Sequence, residues 1–214
     1  MGAKIVPLVR STYRHGDLRR ALIDAGIALA RAGGPDAVAL REATRRAGVV
    51  PNAAYRHFAS RQALLQAVRA AALSALARAM ESELASLRPS RRRADFARAS
   101  LRAIGTSYLR FAREETGLFR TAFALSPNDA QPAADRGMAG TSGLNPFELL
   151  GAALDRLVET GVLPPARRPD AEYLAWSAVH GLAMLVIDGP LRNLTRAQVD
   201  AIGQRLLDMV EKGL

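Results

Sequence analysis

Apolar residues recur along this chain with the spacing of α-helices. Leu18, Leu22 and Leu29 lie on one helical stripe. Asp17 stands in the position of an N-cap residue, and the run Gly33-Gly34-Pro35 is a strong signal for the end of that helix. No segment alternates with a period of two for long enough to form a strand. The pattern therefore predicts an all-α protein.

Helical spacing continues to the end of the chain. Ser60 is placed to cap a long helix that runs towards Leu87, where Pro89 ends it, and that joins the first third of the chain to the rest. Thr195 and Gln198 have the spacing of a capping box for the last helix. The other predicted helices run over Ala94–Arg113, Thr116–Leu125, Pro146–Thr160, Ala171–Ile187 and Arg196–Lys212, with a loop over Ser126–Gly143.

Charge is concentrated in the first third of the chain. Residues 1–69 hold 12 Lys and Arg against 4 Asp and Glu, whereas residues 70–214 hold 18 against 16, so the net charge of +10 divides into +8 and +2. A basic module followed by a nearly neutral one indicates that the N-terminal part binds a polyanion.

Several classes of function find little support. The chain has 214 residues, 49% of them hydrophobic, and no cysteine, which allows a core without disulfides and excludes thiolate chemistry. The opening residues lack a signal-peptide core, and the most apolar segment, 171–187, is shorter than the ~20 residues of a membrane span. The three histidines are far apart, and no HExxH, Walker or GxSxG pattern is present. We therefore predict a cytoplasmic protein without membrane contact, enzymatic activity, cofactor or metal.

The segment GVVPNAAYRHF, residues 48–58, has the features of a helix-turn-helix. Leu40 to Ala47 reads as a short helix, and Gly48 can take the left-handed conformation that ends it. Pro51 suits the first position of a second helix, which would end near Phe58, its anchor in the core. The second helix of such a motif can lie in the major groove of DNA.

The side chains of this second helix suit contacts with a duplex. Asn52, Ala53 and Ala54 would keep its leading end slim, and Asn52 can form a bidentate contact with adenine. Tyr55 and His57 could bind the DNA backbone, and Arg61, just beyond, adds a positive charge.

These stretches resemble a known family. TYRHGDLRRALIDAGIALARAGG, LREATRRAGVVPNAAYRHF and SRQALLQAV, together spanning about Thr12 to Val68, resemble the N-terminal domain of TetR-type transcriptional regulators. The later AWSAVHGLAML, with Trp176, His180 and Gly181, resembles the C-terminal domain of a TetR subgroup named for that Trp-His-Gly pattern. In this family a Ser or similar cap commonly stands where this chain has Val50.

The resemblance implies a basic tail and three-helix DNA-binding domain over residues 1–62, joined by a long helix to a helical domain over 63–214 that dimerises and binds a small molecule. It also implies that each subunit of a homodimer places one recognition helix on a palindromic, double-stranded operator. The implied DNA contacts are Arg41, Pro51, Asn52, Ala53, Tyr55, His57 and Arg61.

Two further sets of residues are candidates in the second domain. Aromatic residues at helical spacing could line an effector pocket or simply form core, and a histidine among them could sense the ligand or be structural; they are Tyr108, Phe111, Phe119, Phe123, Phe147, Trp176 and His180. The helix over Tyr173–Ile187 is apolar on two faces, which fits either a dimer interface or a buried central helix of a monomer. The interface candidates are Leu174, Ala178, Gly181, Leu182, Leu185, Ile202 and Leu206.

The leading hypothesis is a ligand-responsive DNA-binding regulator, a repressor released by its effector. Two alternatives remain open at this stage. One is a sequence-indifferent DNA-binding protein that uses the same basic surface. The other is a small-molecule binding protein or enzyme with a vestigial DNA-binding domain.

Overall fold

The computed structural model describes residues 15–124 and 136–214, and the helices in these two ranges confirm the all-α prediction. The predicted N-terminal tail and much of the predicted 126–143 loop lie outside the described residues. In chain order the helices are α1 (His15–Gly33), α2 (Leu40–Arg46), α3 (Pro51–Tyr55), α4 (Arg61–Ala85), α5 (Arg93–Glu114), α6 (Thr116–Ala122), α7 (Pro146–Glu159), α8 (Ala171–Ile187) and α9 (Arg196–Gly213).

The first helix differs from the prediction at its start. α1 already includes His15, so Asp17 lies within the first turn of the helix and its assignment as the N-cap is wrong. The end of α1 is as predicted: its last residue is Gly33, and Gly34 has a φ of 71°.

The long helix α4 is the central element of the molecule. Its N-cap is the predicted Ser60, whose hydroxyl accepts a hydrogen bond from the Ala63 amide at 3.1 Å, and its last residue, Ala85, is two residues short of Leu87. Buried side chains such as Leu64, Val68 and Leu76 lie along the helix. α4 packs against α1, α5, α6 and α7.

Within the described ranges, α4 is also the one helix long and apolar enough to cross a membrane by length and composition. Half of its most apolar stretch is buried inside the protein. The core helix of a globular domain has the same composition, and α4 is such a helix because it packs against α1, α5, α6 and α7 and supplies many residues of the core.

The last two helices, α8 and α9, pack against α5 and against each other. The capping box of α9 is confirmed, since Thr195 and Gln198 exchange hydrogen bonds with each other's backbone amides. α6 ends at Ala122, three residues before the predicted end, and the Ala122 carbonyl accepts a hydrogen bond from Nε of the buried Arg69 at 3.0 Å. One connected core extends from Leu18 in α1 to Leu207 in α9. The domain boundary at 62/63 stays a prediction.

Candidate nucleic-acid interface and effector site

The turn between α2 and α3 depends on one residue conformation. Gly48 has a φ of 67°, which a residue with a β-carbon rarely adopts, although a β-carbon at this position would have open space. Two backbone hydrogen bonds close the turn, from the Gly48 amide to the Arg45 carbonyl and from the Val49 amide to the Thr44 carbonyl, each 3.2 Å long. The predicted role of Gly48 as the helix terminator is confirmed.

One face of α3 holds the helix in the core. Pro51 is its first residue, as predicted, and Val50 precedes it without a side-chain cap. Ala54 is fully buried and Phe58 is 3% exposed, so these two residues face the protein. Ala54, which was predicted with Asn52 and Ala53 to keep the leading end of the helix slim, faces the core because it lies four residues before Phe58 on the same inward side. α3 itself ends at Tyr55, before the predicted limit near Phe58.

The opposite face of α3 is open to solvent. Asn52 and Tyr55 are exposed, Tyr55 by 58%, while Ala53 and His57 are half-buried. Arg56, one helical turn after Asn52, is exposed on this side, and sequence reasoning missed it. The i, i+4 spacing from Asn52 could have indicated it.

Arg61 has a role within the protein that its sequence position did not reveal. Its Nε donates to the Val38 carbonyl and its Nη2 to the Pro35 carbonyl, both at 2.8 Å, and Nη2 lies 3.8 Å from Asp36. These contacts attach the first residue of α4 to the turn between α1 and α2. Arg61 thus fixes the position of the helix-turn-helix on α4, and DNA contact by Arg61 stays a prediction.

The arginines of α2 are not equivalent. Arg45 and Arg46 both donate to the Glu42 carboxylate, at 2.7 Å and 3.1 Å, and these two hydrogen bonds lower the pKa of Glu42 to about 2. Arg41 is exposed and has no carboxylate partner in the described ranges. Among the α2 side chains, Arg41 is therefore the most available cation for a phosphate.

The predicted effector residues meet at the centre of the second domain. The Trp176 indole N–H donates to the Tyr108 hydroxyl at 3.1 Å, and the same hydroxyl lies 2.7 Å from Nδ1 of His180. The hydroxyl donates to Nδ1 when the ring proton of neutral His180 is on Nε2, and accepts from Nδ1 when that proton is on Nδ1. Burial lowers the pKa of His180 and raises that of Tyr108, so both are neutral at pH 7.

Aromatic rings surround this hydrogen-bonded chain. Phe119 is fully buried and packs edge-on against Tyr108, with 5.3 Å between ring centroids, and the ring of Phe123 lies 4.9 Å from that of His180. Phe147 contacts the cluster through Trp176 and also touches Tyr173, which sequence reasoning did not include. Phe111 is also buried, but its ring contacts none of these rings, so we do not include it. We call the remaining group the aromatic cluster: Tyr108, Phe119, Phe123, Phe147, Tyr173, Trp176 and His180.

Open space lies elsewhere in the second domain and at its edge. One cleft of about 390 Å³ is lined by α1, α4 and α6, and another of about 510 Å³ by the ends of α5 and α8 and the start of α9. No residue of the aromatic cluster lines either cleft. The rings of the cluster therefore pack on one another here.

The predicted interface residues form an open apolar face, with one exception. Leu174 is 64% exposed, Leu185 44% and Ile202 37%, and a β-carbon on Gly181 would meet no atom within 4 Å. Leu182 is 7% exposed and packs within its own subunit, because it lies about 60–80° around α8 from Leu174 and Leu185, towards the side that carries the buried Ala175 and Val179. We call the exposed and half-buried residues of this surface the α8/α9 face: Leu174, Ala178, Gly181, Leu185, Ile202, Leu206 and Met209.

A helix-turn-helix held on a long helix, followed by an all-α domain, defines a DNA-binding regulator with a separate C-terminal module. Two family models agree. Residues 22–68 match "Bacterial regulatory proteins, tetR family", and residues 101–210, about half of the chain, match "Tetracyclin repressor-like, C-terminal domain". The chain belongs to the TetR family of transcriptional regulators, as the sequence resemblance implied.

Solved structures share this fold over nearly the whole chain. A Rhodococcus sp. RHA1 protein of unknown function is 26% identical, with a TM-score of 0.75 over 96% of this chain and 99% of that one. FadR from Bacillus subtilis, in complex with stearoyl-CoA, is 13% identical, with a TM-score of 0.65 over 91% and 98%. RolR, in complex with resorcinol, is 20% identical, with a TM-score of 0.57 over 91% and 88%. No curated protein matches the sequence.

Proposed function

We propose that this protein is a cytoplasmic transcriptional repressor that binds a palindromic operator as a homodimer and is released by a small-molecule effector. The observation that carries the proposal is the division of α3 into two faces. Ala54 is fully buried in the core, while Asn52, Tyr55 and Arg56 are exposed. These residues belong to the most basic part of the chain, residues 1–69. Such a face suits the major groove, with Asn52 reading base edges and the arginines binding phosphates.

A second subunit fits the α8/α9 face. Leu174, Leu185 and Met209 each expose more than 40% of their surface on this face, and large contiguous apolar patches are rare on monomers. Gly181 lies within the face and would allow the backbones of two α8 helices to approach closely. Packing α8 and α9 of one subunit against those of another would bury this surface in a four-helix arrangement.

The aromatic cluster is the best-supported effector site. Nε2 of His180 has no hydrogen-bond partner among the described residues, and it is surrounded by rings that suit a flat or apolar molecule. Because the rings now pack on one another, an effector would bind a state in which they have moved apart. The complexes of FadR with stearoyl-CoA and of RolR with resorcinol support the idea that this fold admits ligands of different sizes.

Helix α6 connects the aromatic cluster to the DNA-binding domain. Phe119 of α6 and Phe123, just after its end, belong to the cluster, while Gly117 at the start of α6 packs against the backbone carbonyls of Ala30 and Arg31 at the end of α1. Glu115, just before α6, accepts a hydrogen bond from Arg31 at 2.9 Å. Movement of α6 on effector binding would therefore move α1 as well as α4.

This connection gives repression a thermodynamic basis. An effector lowers operator affinity only if it binds the DNA-incompetent arrangement more tightly than the competent one, and the two ligands then oppose each other reciprocally. In that arrangement α6 is displaced, and the two recognition helices no longer have the spacing of successive major grooves.

Selection of bound fragments from a random DNA library by the purified protein, at two salt concentrations, tests the proposal. We expect a palindrome whose half-sites are about 10 bp apart centre to centre. Recovery of no motif, with binding lost at the higher salt, would identify a sequence-indifferent binder and contradict the proposal. Absence of any DNA binding would instead favour the small-molecule binding protein with a vestigial DNA-binding domain.

With an operator in hand, a screen of small molecules tests the effector part. We expect at least one aromatic or apolar compound to weaken operator binding by the wild-type protein. The same compound should have a smaller effect on a Trp176→Ala variant, because that change removes one wall of the cluster. Equal weakening of both proteins would place the effector outside the aromatic cluster.

A further inference from the structure

We infer that the cleft between the ends of α5 and α8 and the start of α9 is a second ligand site, for a small anion that carries a short apolar tail. The cleft has a volume of about 510 Å³, within the range of small-molecule sites. It is separate from the aromatic cluster, none of whose residues line it, and from the α8/α9 face. The inference concerns binding to the protein alone and does not depend on the repressor function.

The charges of the cleft indicate an anionic ligand. Arg113 donates to Asp200 at 2.6 Å, and Arg196 lies 3.6 Å from Glu114 and 3.8 Å from Asp200. These carboxylates balance the two arginines. The third guanidinium of the cleft has no such neighbour.

Arg192 is that third guanidinium. Its nearest described acceptor is the Gly189 carbonyl at 3.4 Å, a long hydrogen bond to a neutral group, and it has no carboxylate partner in the described ranges. A guanidinium can donate two parallel hydrogen bonds to a carboxylate or phosphate. Arg192 therefore supplies the headgroup contact.

Apart from Thr116, the rest of the wall is apolar. Val186, Ile187 and Leu194 line the cleft, and Val199, with 9% exposure, closes it from the side of α9. An ion without a tail would leave this surface in contact with water. A ligand with both an anionic group and an apolar tail covers the surface and pairs with Arg192.

The position of the cleft gives the bound anion a route to the DNA-binding domain. Glu114 and Thr116 line the cleft, and Glu115 between them accepts the hydrogen bond from Arg31 of α1. Ile187 is followed by Asp188, which forms an ion pair with Arg120 of α6. A ligand in the cleft would therefore contact the start of α6, which is also the part of α6 that contacts α1.

Binding of octanoate and octyl phosphate to the full-length protein, measured by calorimetry without DNA, tests the inference. Octyltrimethylammonium is the matched probe of opposite charge. We expect saturable binding of at least one of the two anions, with one site per chain, and none of the cation. Arg192→Gln should weaken that binding about tenfold or more, since it removes a charge-assisted contact.

Two further variants complete the test. Arg88→Gln removes an equal charge from an exposed residue far from the cleft. The affinity of this variant for the anion should match that of the wild type within about twofold. Val186→Trp should fill the cleft and abolish binding while the protein remains folded by circular dichroism. The inference is overturned if neither anion saturates, if the cation binds equally well, or if Arg192→Gln and Arg88→Gln behave alike.

Discussion

The α-carbon of Gly117 lies so close to the carbonyl of Ala30 that a β-carbon there would overlap the oxygen, and it would also stand 2.6 Å from the carbonyl oxygen of Arg31. Since both obstacles are backbone atoms, a Gly117→Ala change can be accommodated only if α1 and α6 move apart. We expect a loss of about 1–3 kcal/mol in the free energy of unfolding, as for other overpacked sites, together with reduced operator affinity. Urea unfolding and fluorescence anisotropy with the selected operator measure the two effects.

Gly213→Ala is the matched control for this change. A β-carbon at Gly213 meets no atom within 4 Å, so this variant should retain wild-type stability and affinity. Wild-type behaviour of Gly117→Ala in both measurements would show that the contact between α1 and α6 does not connect the two domains.

Replacement of Arg61 by alanine should affect both folding and DNA binding. The change removes the hydrogen bonds to the Pro35 and Val38 carbonyls, which we expect to cost roughly 1 kcal/mol, given that the side chain is partly exposed. It should also weaken binding to all DNA sequences and reduce the salt slope. Asn52→Ala, by contrast, should leave stability unchanged and relax the preference at particular base pairs. Identical DNA-binding profiles for the two variants would contradict these separate roles.

Replacement of Glu42 by glutamine should increase non-specific DNA binding. The carboxylate now neutralises Arg45 and Arg46, so its loss frees two guanidiniums at the edge of the helix-turn-helix. We expect tighter binding to unrelated DNA and a logarithmic salt slope steeper by about one or two units. Titration of a scrambled duplex at several salt concentrations measures this. An unchanged slope would mean that neither arginine reaches the phosphates.

A charge on the α8/α9 face should separate the subunits. Leu185→Glu places a carboxylate among exposed apolar residues, and burying it in an interface without a partner is costly. We expect the dimer to dissociate at concentrations at which the wild type is dimeric, with operator affinity reduced about tenfold or more. Analytical ultracentrifugation measures the first effect. Ser82→Glu adds the same charge at an exposed position on α4, outside this face, and is the control that should remain dimeric.

The protonation of His180 should make stability depend on pH. Burial lowers the folded-state pKa below the ordinary value of 6.5, so the unfolded chain takes up a proton first as the pH falls. The contribution of neutral His180 to the free energy of unfolding is complete above pH 6.5, and it is lost as the pH falls from 6.5 towards the lowered pKa. His180→Gln, whose side-chain carbonyl can still accept from Tyr108, should show a smaller decrease in the urea midpoint between about pH 7.5 and pH 5. An equal decrease in both proteins would assign the pH dependence to other groups.

Most features set by neighbouring residues in the sequence could be predicted, with the start of α1 at Asp17 as an exception, and features set by distant residues could not. Gly48, Ser60 and the Thr195–Gln198 pair were correctly predicted because turn and cap geometry involves residues within a few positions. The direction in which Arg61 points could not be predicted, because its acceptors lie 23 and 26 positions earlier. The inward orientation of Ala54 was available from helical spacing relative to Phe58 and was overlooked.

The predicted sites show the same division. Helical spacing indicated that Tyr108 and His180 are on apolar faces, and the sequence resemblance suggested an effector site, but their hydrogen bond joins residues 72 positions apart. The exclusion of Leu182 from the α8/α9 face depends on which neighbour covers each side of α8, which a single sequence does not specify. The second cleft has no sequence signature because its arginines resemble ordinary surface charges.

The five-residue length of α3 limits how much of a genome one subunit can distinguish. A helix this short brings only a few side chains to base edges, enough for about 3 or 4 base pairs. Even the combined sequence of two such half-sites occurs by chance many times among the roughly 10⁶ or more competing sites of a chromosome. In the proposed homodimer, the distance between the two half-sites would be a second requirement for binding, so an effector could switch off recognition by altering that distance while every base-contacting side chain stays intact.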